Sequence, residues 1–308
     1  MEKIYDVIIV GAGPAGLSAV VYGGRAGLDI LIVDKDAPGG KLLKTSNIEN
    51  YPGYTSINGA DLAMEMYNHA MSFNPDYAYG EVRKIDNVEQ DIKEVYIENK
   101  VYYTKNIIIA TGTIERKVGV PNEDLYYGRG VSYCAVCDGS LHRGEDIVVI
   151  GGGNSALNEA LYLTRFASKV ILVHRRNVFR SNPTTIENVR NNPKIEIKIP
   201  YILKEIKGDI NNVTSIVIEN IETKEIEEIN TRIVFPLIGA DPVTHFLKEY
   251  DLLNENGYVI VDQNQQTKIK GIYAIGDVTN KVLRQVVTAC NDGAIAATHI
   301  IEELTKKA

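Results

Sequence analysis

Cys134 and Cys137 are separated by two residues, and Asp138 follows directly. This spacing allows a reversible disulfide, in which each thiolate is the leaving group for the other. Asp138 offers a proton-transfer group beside the sulfurs, although an aspartate before a glycine can also be a turn residue. A zinc half-site is the alternative, but structural zinc takes four ligands, and Cys290 with five scattered histidines does not supply the other two. The pattern therefore predicts a redox dithiol and no metal site.

The second candidate site is a glycine motif near the N-terminus. Gly11, Gly13 and Gly16 stand between an apolar strand, residues 7–10, and a small-residue helix. At this spacing the first glycine allows a tight turn, the second lets backbone approach a pyrophosphate, and the third lets helix and strand pack closely. Asp34 follows the next strand, residues 29–33, where a carboxylate would bind an adenosine ribose. A glycine turn in another α/β fold is the alternative.

The same motif recurs 140 residues later with one chemical difference. Gly151, Gly153 and Ala156 again stand between a strand, residues 146–150, and a helix. After the next strand, residues 169–173, basic side chains replace the aspartate: His174, Arg175, Arg176 and Arg180. A guanidinium binds a 2′-phosphate bidentately, whereas an aspartate would repel it, so this site should prefer NADPH over NADH. A solvated basic turn is the alternative.

The segments that follow each motif are similar in the two halves of the chain. After the first motif, alternating residues predict a small antiparallel meander ending in a buried strand: residues 81–88, 94–98, 101–103 and 107–109. After the second, the corresponding strands are predicted at residues 195–199, 215–218, 225–228 and 233–237. The tail has strand character at 257–261 and 271–275 and ends in a helix over about 286–304.

These elements predict an α/β fold with two Rossmann-like dinucleotide-binding domains, each carrying a small β-meander. The tail contains no third glycine motif, so it most simply completes the first domain, which is then discontinuous. We predict a first domain over residues 1–115 and 245–308 and a second over 116–244. Linkers near 112–121 and 239–244 would join them.

Composition excludes several classes of protein. The 308 residues carry a formal net charge of −7 and no cluster of Lys and Arg of the kind that binds nucleic acid. No segment resembles a secretory signal, and none reaches the roughly 18 consecutive apolar residues of a membrane span. Three cysteines exclude a disulfide framework. We therefore expect a cytoplasmic protein that binds neither nucleic acid nor membrane.

Six motifs, taken in order, carry a family resemblance: Gly-Ala-Gly-Pro-Ala-Gly at 11–16, Ala-Thr-Gly at 110–112, Cys-Ala-Val-Cys-Asp-Gly at 134–139, Gly-Gly-Gly-Asn-Ser-Ala at 151–156, His-Arg-Arg at 174–176 and Gly-Asp-Val at 276–278. The combination resembles the low-molecular-weight thioredoxin reductases of bacteria and archaea, which are pyridine nucleotide-disulfide oxidoreductases. The resemblance spans essentially the whole chain.

The resemblance implies FAD in the first domain, NADPH in the second, a homodimer, and thioredoxin or a similar small dithiol protein as electron acceptor. It makes Cys137 the thiol nearest the flavin, Cys134 the thiol that attacks thioredoxin, and Asp138 the proton donor. The FAD-binding residues would be Gly11, Gly13, Pro14, Ala15, Gly16, Asp34, Lys41, Ala110, Thr111, Gly112, Gly276, Asp277, Arg284, Gln285 and Val286. The NADPH-binding residues would be Gly151, Gly153, Asn154, Ser155, Ala156, His174, Arg175, Arg176 and Arg180.

Three positions depart from the family pattern. Lys41 replaces a usual Gln near the flavin, Asn158 replaces a usual Glu, and Cys290 falls in a segment that usually lacks cysteine. A cation at Lys41 would shift the flavin potential. Three alternatives stay open: ferredoxin as electron donor, a glutaredoxin-like acceptor, or a nucleotide-sensing flavoprotein without turnover.

Overall fold

The computed structural model describes residues 2–45 and 47–306. Its contacts divide the chain into two compact units, which we call unit 1 (Met1–Ile114 and Asp241–Ala308) and unit 2 (Glu115–Ala240). No helix in the described part of the chain is long and apolar enough to cross a membrane.

The strands of the described residues are β1 (Ile4–Val10), β2 (Ile30–Asp34), β3 (Asp76–Tyr79), β4 (Val82–Asp86), β5 (Lys93–Ile97), β6 (Lys100–Ile109), β7 (Thr113–Glu115), β8 (Asp146–Ile150), β9 (Lys169–Val173), β10 (Ile195–Lys198), β11 (Tyr201–Gly208), β12 (Val213–Asn220), β13 (Ile226–Asn230), β14 (Ile233–Pro236), β15 (Ala240–Pro242) and β16 (Ile272–Ala274). The α-helices are α1 (Pro14–Arg25), α2 (Gly59–Met71), α3 (Ala135–Asp138), α4 (Asn154–Leu163), α5 (Pro183–Asn191) and α6 (Val286–Thr305). Short 3-10 turns lie at Gly40–Lys44, Gly139–His142, His245–Leu247 and Gly276–Val278.

Unit 1 is built on one mixed sheet in the order β3-β2-β1-β6-β5-β4, with β16 also paired to β6. The strands β3, β2, β1, β6 and β16 are parallel, and β4, β5 and the start of β6 form an antiparallel meander. Val10 lies opposite both Val33 and Ile109, so the carboxyl ends of β1, β2 and β6 align. The strand order reverses between β1 and β6, which is where open α/β sheets bind ligands.

Two helices of unit 1 pack closely because glycines remove the side chains between them. A Cβ on Gly293 of α6 would lie 2.3 Å from the carbonyl oxygen of Ala15 in α1. Similarly, a Cβ on Gly24 would lie 2.5 Å from the Phe73 side chain beyond α2, which explains one of two consecutive glycines inside α1. Beneath the helices, Ile9 packs in the cluster that includes α1 and α6, whereas its neighbour Ile8 packs in the cluster on the opposite face of the sheet. Both side chains are fully buried, and each contributes about 1.5–3 kcal/mol of burial free energy.

Unit 2 repeats this plan on a smaller scale. Its parallel sheet has the order β10-β9-β8-β14, and a separate antiparallel sheet has the order β11-β12-β13. Val149 lies opposite both Leu172 and Phe235, and all three side chains are fully buried. Together the units confirm the predicted fold class: each has Rossmann-like parallel strands and an antiparallel meander, which continues the same sheet in unit 1 and forms a separate sheet in unit 2.

Three details of the prediction were wrong. Residues 101–103 and 107–109 belong to one strand, β6. The polar residues between them continue it because Thr104 and Asn106 donate side-chain hydrogen bonds to the carbonyls of Tyr5 and Asp6 at 3.2 and 3.0 Å. Residues 257–261 form only isolated bridges, since Val259 pairs singly with Leu253 and Thr279.

The third wrong detail is the prediction that residues 195–199 belong to the second meander. They form β10, parallel to β9, and β11 begins the meander after Pro200. The sequence reading also missed α2, α3, α5, β3 and β11. Two of these helices carry readable start signals, because Asn58 and Asn182 accept hydrogen bonds from the backbone N–H groups of Ala60 and Thr185.

Candidate redox and dinucleotide sites

The two cysteines lie at a one-turn helix in unit 2. Cys134 is the N-cap of α3 and Cys137 is within it, with their Cα atoms 5.3 Å apart and their sulfurs joined in a disulfide. The backbone N–H of Cys137 donates to Cys134 Sγ at 3.1 Å. A donor at this position stabilises a thiolate on Cys134 once the disulfide is reduced, because thiolates are favoured by hydrogen bonds at a helix N-terminus.

Asp138 is the carboxyl nearest the disulfide in sequence, and it is largely buried. Its Oδ1 atom has no hydrogen-bond partner among the described residues. Burial raises the pKa of this carboxyl, while a hydrogen bond from Ser132 and the charge of His142 offset part of the rise. Ser132, only 4% exposed, also accepts the backbone N–H of Cys134 at 3.1 Å. Burial thus favours the protonated form of this carboxyl, on the residue that follows Cys137.

A second, half-buried carboxyl, which sequence reasoning missed, contacts the same turn. Glu159 of α4 accepts the backbone N–H of Ala135 at 3.0 Å, and burial raises the pKa of Glu159. The contact joins the helix after the second glycine motif to the cysteine turn. No local sequence signal predicts it, because the two residues are 24 positions apart.

The first glycine motif forms a tight turn between β1 and α1. A Cβ on Gly11 would lie 2.4 Å from the Ala110 carbonyl oxygen, and one on Gly16 would lie 1.9 Å from the Gly11 carbonyl oxygen. A Cβ on Gly13 would meet nothing within 4 Å. The first and third glycines are therefore required by packing, whereas the second borders open space at the start of a helix.

Asp34 lies beside this turn and accepts the backbone N–H groups of Ala12 at 2.6 Å and Asp36 at 2.9 Å. Burial raises the pKa of Asp34, and these N–H groups oppose the rise. A carboxylate has about four acceptor sites. Asp34 can therefore accept further hydrogen bonds from a ribose.

Several predicted residues converge on the same sheet edge. Lys41 Nζ lies 2.7 Å from Thr113 Oγ1 and 3.5 Å from Asp277 Oδ2. Thr111, after β6, donates its hydroxyl to the carbonyl of Val243 at 2.7 Å. Gly112 continues this turn with a positive φ of 66°. Side chains from the segments after β2, β6 and β16 thus meet beyond the carboxyl ends of the parallel strands.

Arg284, Gln285 and Val286 lie at the start of α6. The Arg284 guanidinium donates to the carbonyls of Asp277 and Thr279 at 3.3 and 3.4 Å and lies over the ring of Tyr258. Gln285 caps α6, and Val286 packs against a small core cluster around Leu42, Ile48 and Leu62. The run is therefore fixed against the turn that carries Asp277.

The second glycine motif has the same geometry as the first. A Cβ on Gly151 would lie 2.4 Å from the Leu237 carbonyl oxygen and 2.8 Å from the Ala156 side chain, whereas one on Gly153 would meet nothing within 4 Å. Asn154 and Ser155 follow at the start of α4, where both are exposed. This loop too borders open space at a helix N-terminus.

The basic residues after β9 divide into two groups. His174 packs on Gly152 and stacks on Phe179 with ring centroids 5.5 Å apart. Burial lowers the pKa of His174, as do the charges of Arg175 and Arg180. The side chains of Arg175, Arg176 and Arg180 are exposed. The backbone N–H of Arg180 donates to the Gly152 carbonyl at 2.7 Å. The arginines are thus the cations available to a ligand at this loop.

Of the positions that depart from the pattern, Asn158 is exposed on α4. Cys290 is half-buried in α6, with its sulfur 3.9 Å from the Tyr51 hydroxyl, and burial raises the pKa of its thiol. The described residues contain no group of three or more His, Cys, Asp or Glu side chains that could hold a metal ion.

Comparison with known proteins agrees with this arrangement. The family model of pyridine nucleotide-disulphide oxidoreductases matches residues 5–293. The chain belongs to this family. A thioredoxin reductase of Mycoplasma pneumoniae is 44% identical over 305 residues, covering 98% of this chain and 96% of that protein. One from Bacillus subtilis is 43% identical over 306 residues, with the same coverage.

A solved structure extends the comparison to three dimensions. The crystal structure of thioredoxin reductase from Streptococcus pyogenes superposes with a TM-score of 0.96 at 43% identity, covering 99% of this chain and 100% of that one. This oxidoreductase therefore combines, in one chain, a cysteine pair that forms a disulfide and two glycine loops suited to dinucleotides.

Proposed function

We propose that the chain is a thioredoxin reductase that carries electrons from NADPH through FAD to the disulfide of Cys134 and Cys137 and then to thioredoxin. The observation that carries the proposal is the disulfide itself, which lies on a one-turn helix beside the buried carboxyl of Asp138. The relatives named thioredoxin reductase support the choice of acceptor.

Unit 1 fits FAD. The open space at Gly13 accommodates a pyrophosphate at the start of α1, and Asp34 has acceptor sites left for a ribose. We assign the remaining contacts to the side chains at the same sheet edge, with Asp277 and Lys41 facing the cofactor beyond its phosphates. The domain that binds FAD would thus be the discontinuous one.

Unit 2 fits NADPH. Gly153 borders open space in the same way, and Arg175, Arg176 and Arg180 present exposed guanidinium groups after β9. These groups supply bidentate donors for a 2′-phosphate. When both cofactors are bound, they supply two-electron transfer from the nicotinamide to the disulfide.

Reduction of thioredoxin then follows from thiol–disulfide exchange. The Cys134 thiolate, stabilised by the Cys137 N–H, attacks one sulfur of the thioredoxin disulfide, forming a mixed disulfide and releasing one thioredoxin thiolate. The protonated carboxyl of Asp138 gives its proton to that thiolate. Cys137 then loses its own proton to Asp138 and attacks Cys134 Sγ. This step reforms the enzyme disulfide and releases the second thioredoxin thiolate, which takes the proton back.

A homodimer is part of the proposal, as is a cytoplasmic location. Both rest on the family resemblance, and each is checked by a separate measurement. Size-exclusion chromatography with light scattering would give the oligomeric state, and fractionation of the source cell would give the location.

Two experiments test the function. Anaerobic titration of the flavin-loaded protein should bleach the flavin with NADPH, whereas reduced ferredoxin should not; bleaching by ferredoxin alone would overturn the proposed donor. Cys134→Ser should keep flavin bleaching by NADPH and lose thioredoxin reduction. Continued thioredoxin turnover by this variant would remove Cys134 from its role. Val136→Ser, at an exposed position of the same turn, serves as the control for local disturbance.

A further inference from the structure

A buried ion pair lies directly behind the turn Gly276–Val278. Asp292 of α6 is 4% exposed, and its Oδ2 atom accepts the backbone N–H of Gly276 at 2.8 Å. The same oxygen pairs with Lys281 Nζ, whose side chain is 17% exposed. One carboxylate thus joins three segments: the turn after β16, the loop that follows it and the long helix α6.

This turn is packed against the first glycine motif. A Cβ on Gly276 would lie 3.0 Å from the Ala15 side chain, and Gly276 adopts a positive φ of 73°. The next residue, Asp277, faces Lys41 at 3.5 Å. A small rotation of the Gly276 peptide would therefore move the Asp277 carboxylate away from the sheet edge at which the dinucleotide residues meet.

Stabilisation of the fold does not by itself explain why this ion pair is buried here. Removing two charges from water costs about as much as their attraction returns, so apolar residues of similar size would stabilise the fold equally well. A carboxylate does what an apolar residue cannot: it accepts the N–H of Gly276 and fixes the direction of that peptide. The lysine in turn fixes the carboxylate.

We propose that Asp292 and Lys281 are positioning residues for FAD, which hold the turn Gly276–Val278 so that Asp277 faces the cofactor. The proposal rests on the proposed function, because it takes unit 1 as the FAD-binding unit. In this role both residues would act through the turn and not on the cofactor directly.

The matched control is Asp6, at the opposite end of β1. Its carboxylate also accepts a backbone N–H, that of Asp29 at 3.0 Å, and also pairs with a lysine, Lys105, at 2.8 Å. The Asp6 side chain is 22% exposed. Asp6→Ala therefore removes the same kinds of contact at a place remote from the proposed cofactor edge.

The test measures the FAD dissociation constant of apoprotein by flavin fluorescence, together with its thermal unfolding. We expect Asp292→Ala to raise the dissociation constant at least tenfold and Asp6→Ala to leave it within twofold. An unchanged constant for Asp292→Ala, or an equal rise for Asp6→Ala, would overturn the proposal. If the unaltered apoprotein binds no FAD, the proposed function itself fails, which is a distinct outcome.

A second pair of variants guards against misfolding of Asp292→Ala. Lys281→Met combined with Asp292→Asn removes both charges but keeps an oxygen that can accept the Gly276 N–H. Lys281→Met combined with Asp292→Ala removes the acceptor as well. We expect the second double variant to bind FAD at least tenfold more weakly than the first, and equal affinities would refute the positioning role.

Discussion

The second glycine of each motif can be replaced to test whether both loops bind phosphates. Gly13 and Gly153 have extended backbone angles, with φ of −77° and −97°, that alanine adopts without strain. A Cβ at either position would meet no atom of the protein within 4 Å. Gly13→Ala and Gly153→Ala should therefore fold normally, and each should unfold at the same temperature as the unaltered apoprotein or slightly above it.

Ligand binding should nevertheless fall, because the added methyl group occupies the space that a pyrophosphate needs to reach the backbone N–H groups. A hydrogen bond to a charged group contributes about 1.5–3 kcal/mol. Since about 1.4 kcal/mol corresponds to a factor of ten, losing one such bond should weaken binding about 10- to 150-fold. Gly13→Ala should weaken FAD binding by this factor and leave NADPH binding unchanged, and Gly153→Ala should show the reverse.

The assay is equilibrium binding of each cofactor to each apoprotein, with thermal unfolding measured in parallel. Each variant is the other's control, because the chemical change is identical and only the loop differs. If Gly13→Ala binds FAD with unaltered affinity, the open space at Gly13 is not a phosphate site. If both variants lose both cofactors, the effect is a general loss of structure and the reasoning from local space is wrong.

Three further predictions use the charges of the candidate sites. Lys41→Gln should lower the flavin reduction potential by about 30 mV, which corresponds to a tenfold change in the equilibrium constant for two electrons, because a cation favours the more negative reduced form. Spectroelectrochemistry would check this, with Lys44→Gln as the control. Replacing Arg175 and Arg176 by Ala should raise the KM for NADPH about 10- to 100-fold and change that for NADH less than about twofold, so equal changes would remove the 2′-phosphate argument. Burial raises the pKa of Asp138, so its proton is bound more tightly in the folded state, and this stabilisation is lost as pH rises through the folded-state pKa. Asp138→Asn should therefore unfold at a higher temperature than the unaltered protein near pH 8 and at the same temperature in acid, whereas a pH-independent difference would contradict the burial argument.

Much of the fold could be predicted from the sequence because each glycine motif is compatible with only one local backbone arrangement, a tight turn between a strand and a helix. At Gly11 the φ of 115° and the nearby Ala110 carbonyl exclude any side chain, so the motif predicts both the turn and the strand that must lie beside it. The repeat then predicts the second unit. The function of the cysteine pair could be predicted for a similar reason, since a spacing of only two intervening residues limits what two thiols can do.

Contacts between distant parts of the chain were not readable. Glu159 reaches the cysteine turn, and Asp292 reaches Gly276, through packing of helices on sheets that no local pattern encodes. The polar residues Thr104 and Asn106 inside β6 predicted a break between two strands. They continue one strand because their side chains find hydrogen-bond acceptors in carbonyl groups of β1, which the local sequence does not reveal. The contacts of Glu159 and Asp292 could therefore be recognised only in the three-dimensional arrangement.

In the proposed function, electrons from NADPH pass through this protein and reduce the thioredoxin disulfide to two thiols. The most direct measurement mixes the flavin-loaded protein with NADPH and oxidised thioredoxin without oxygen, and counts the NADPH consumed and the thiols formed. We expect two new thioredoxin thiols for each NADPH, since both couples exchange two electrons. Consumption of NADPH without thiols on thioredoxin would contradict it.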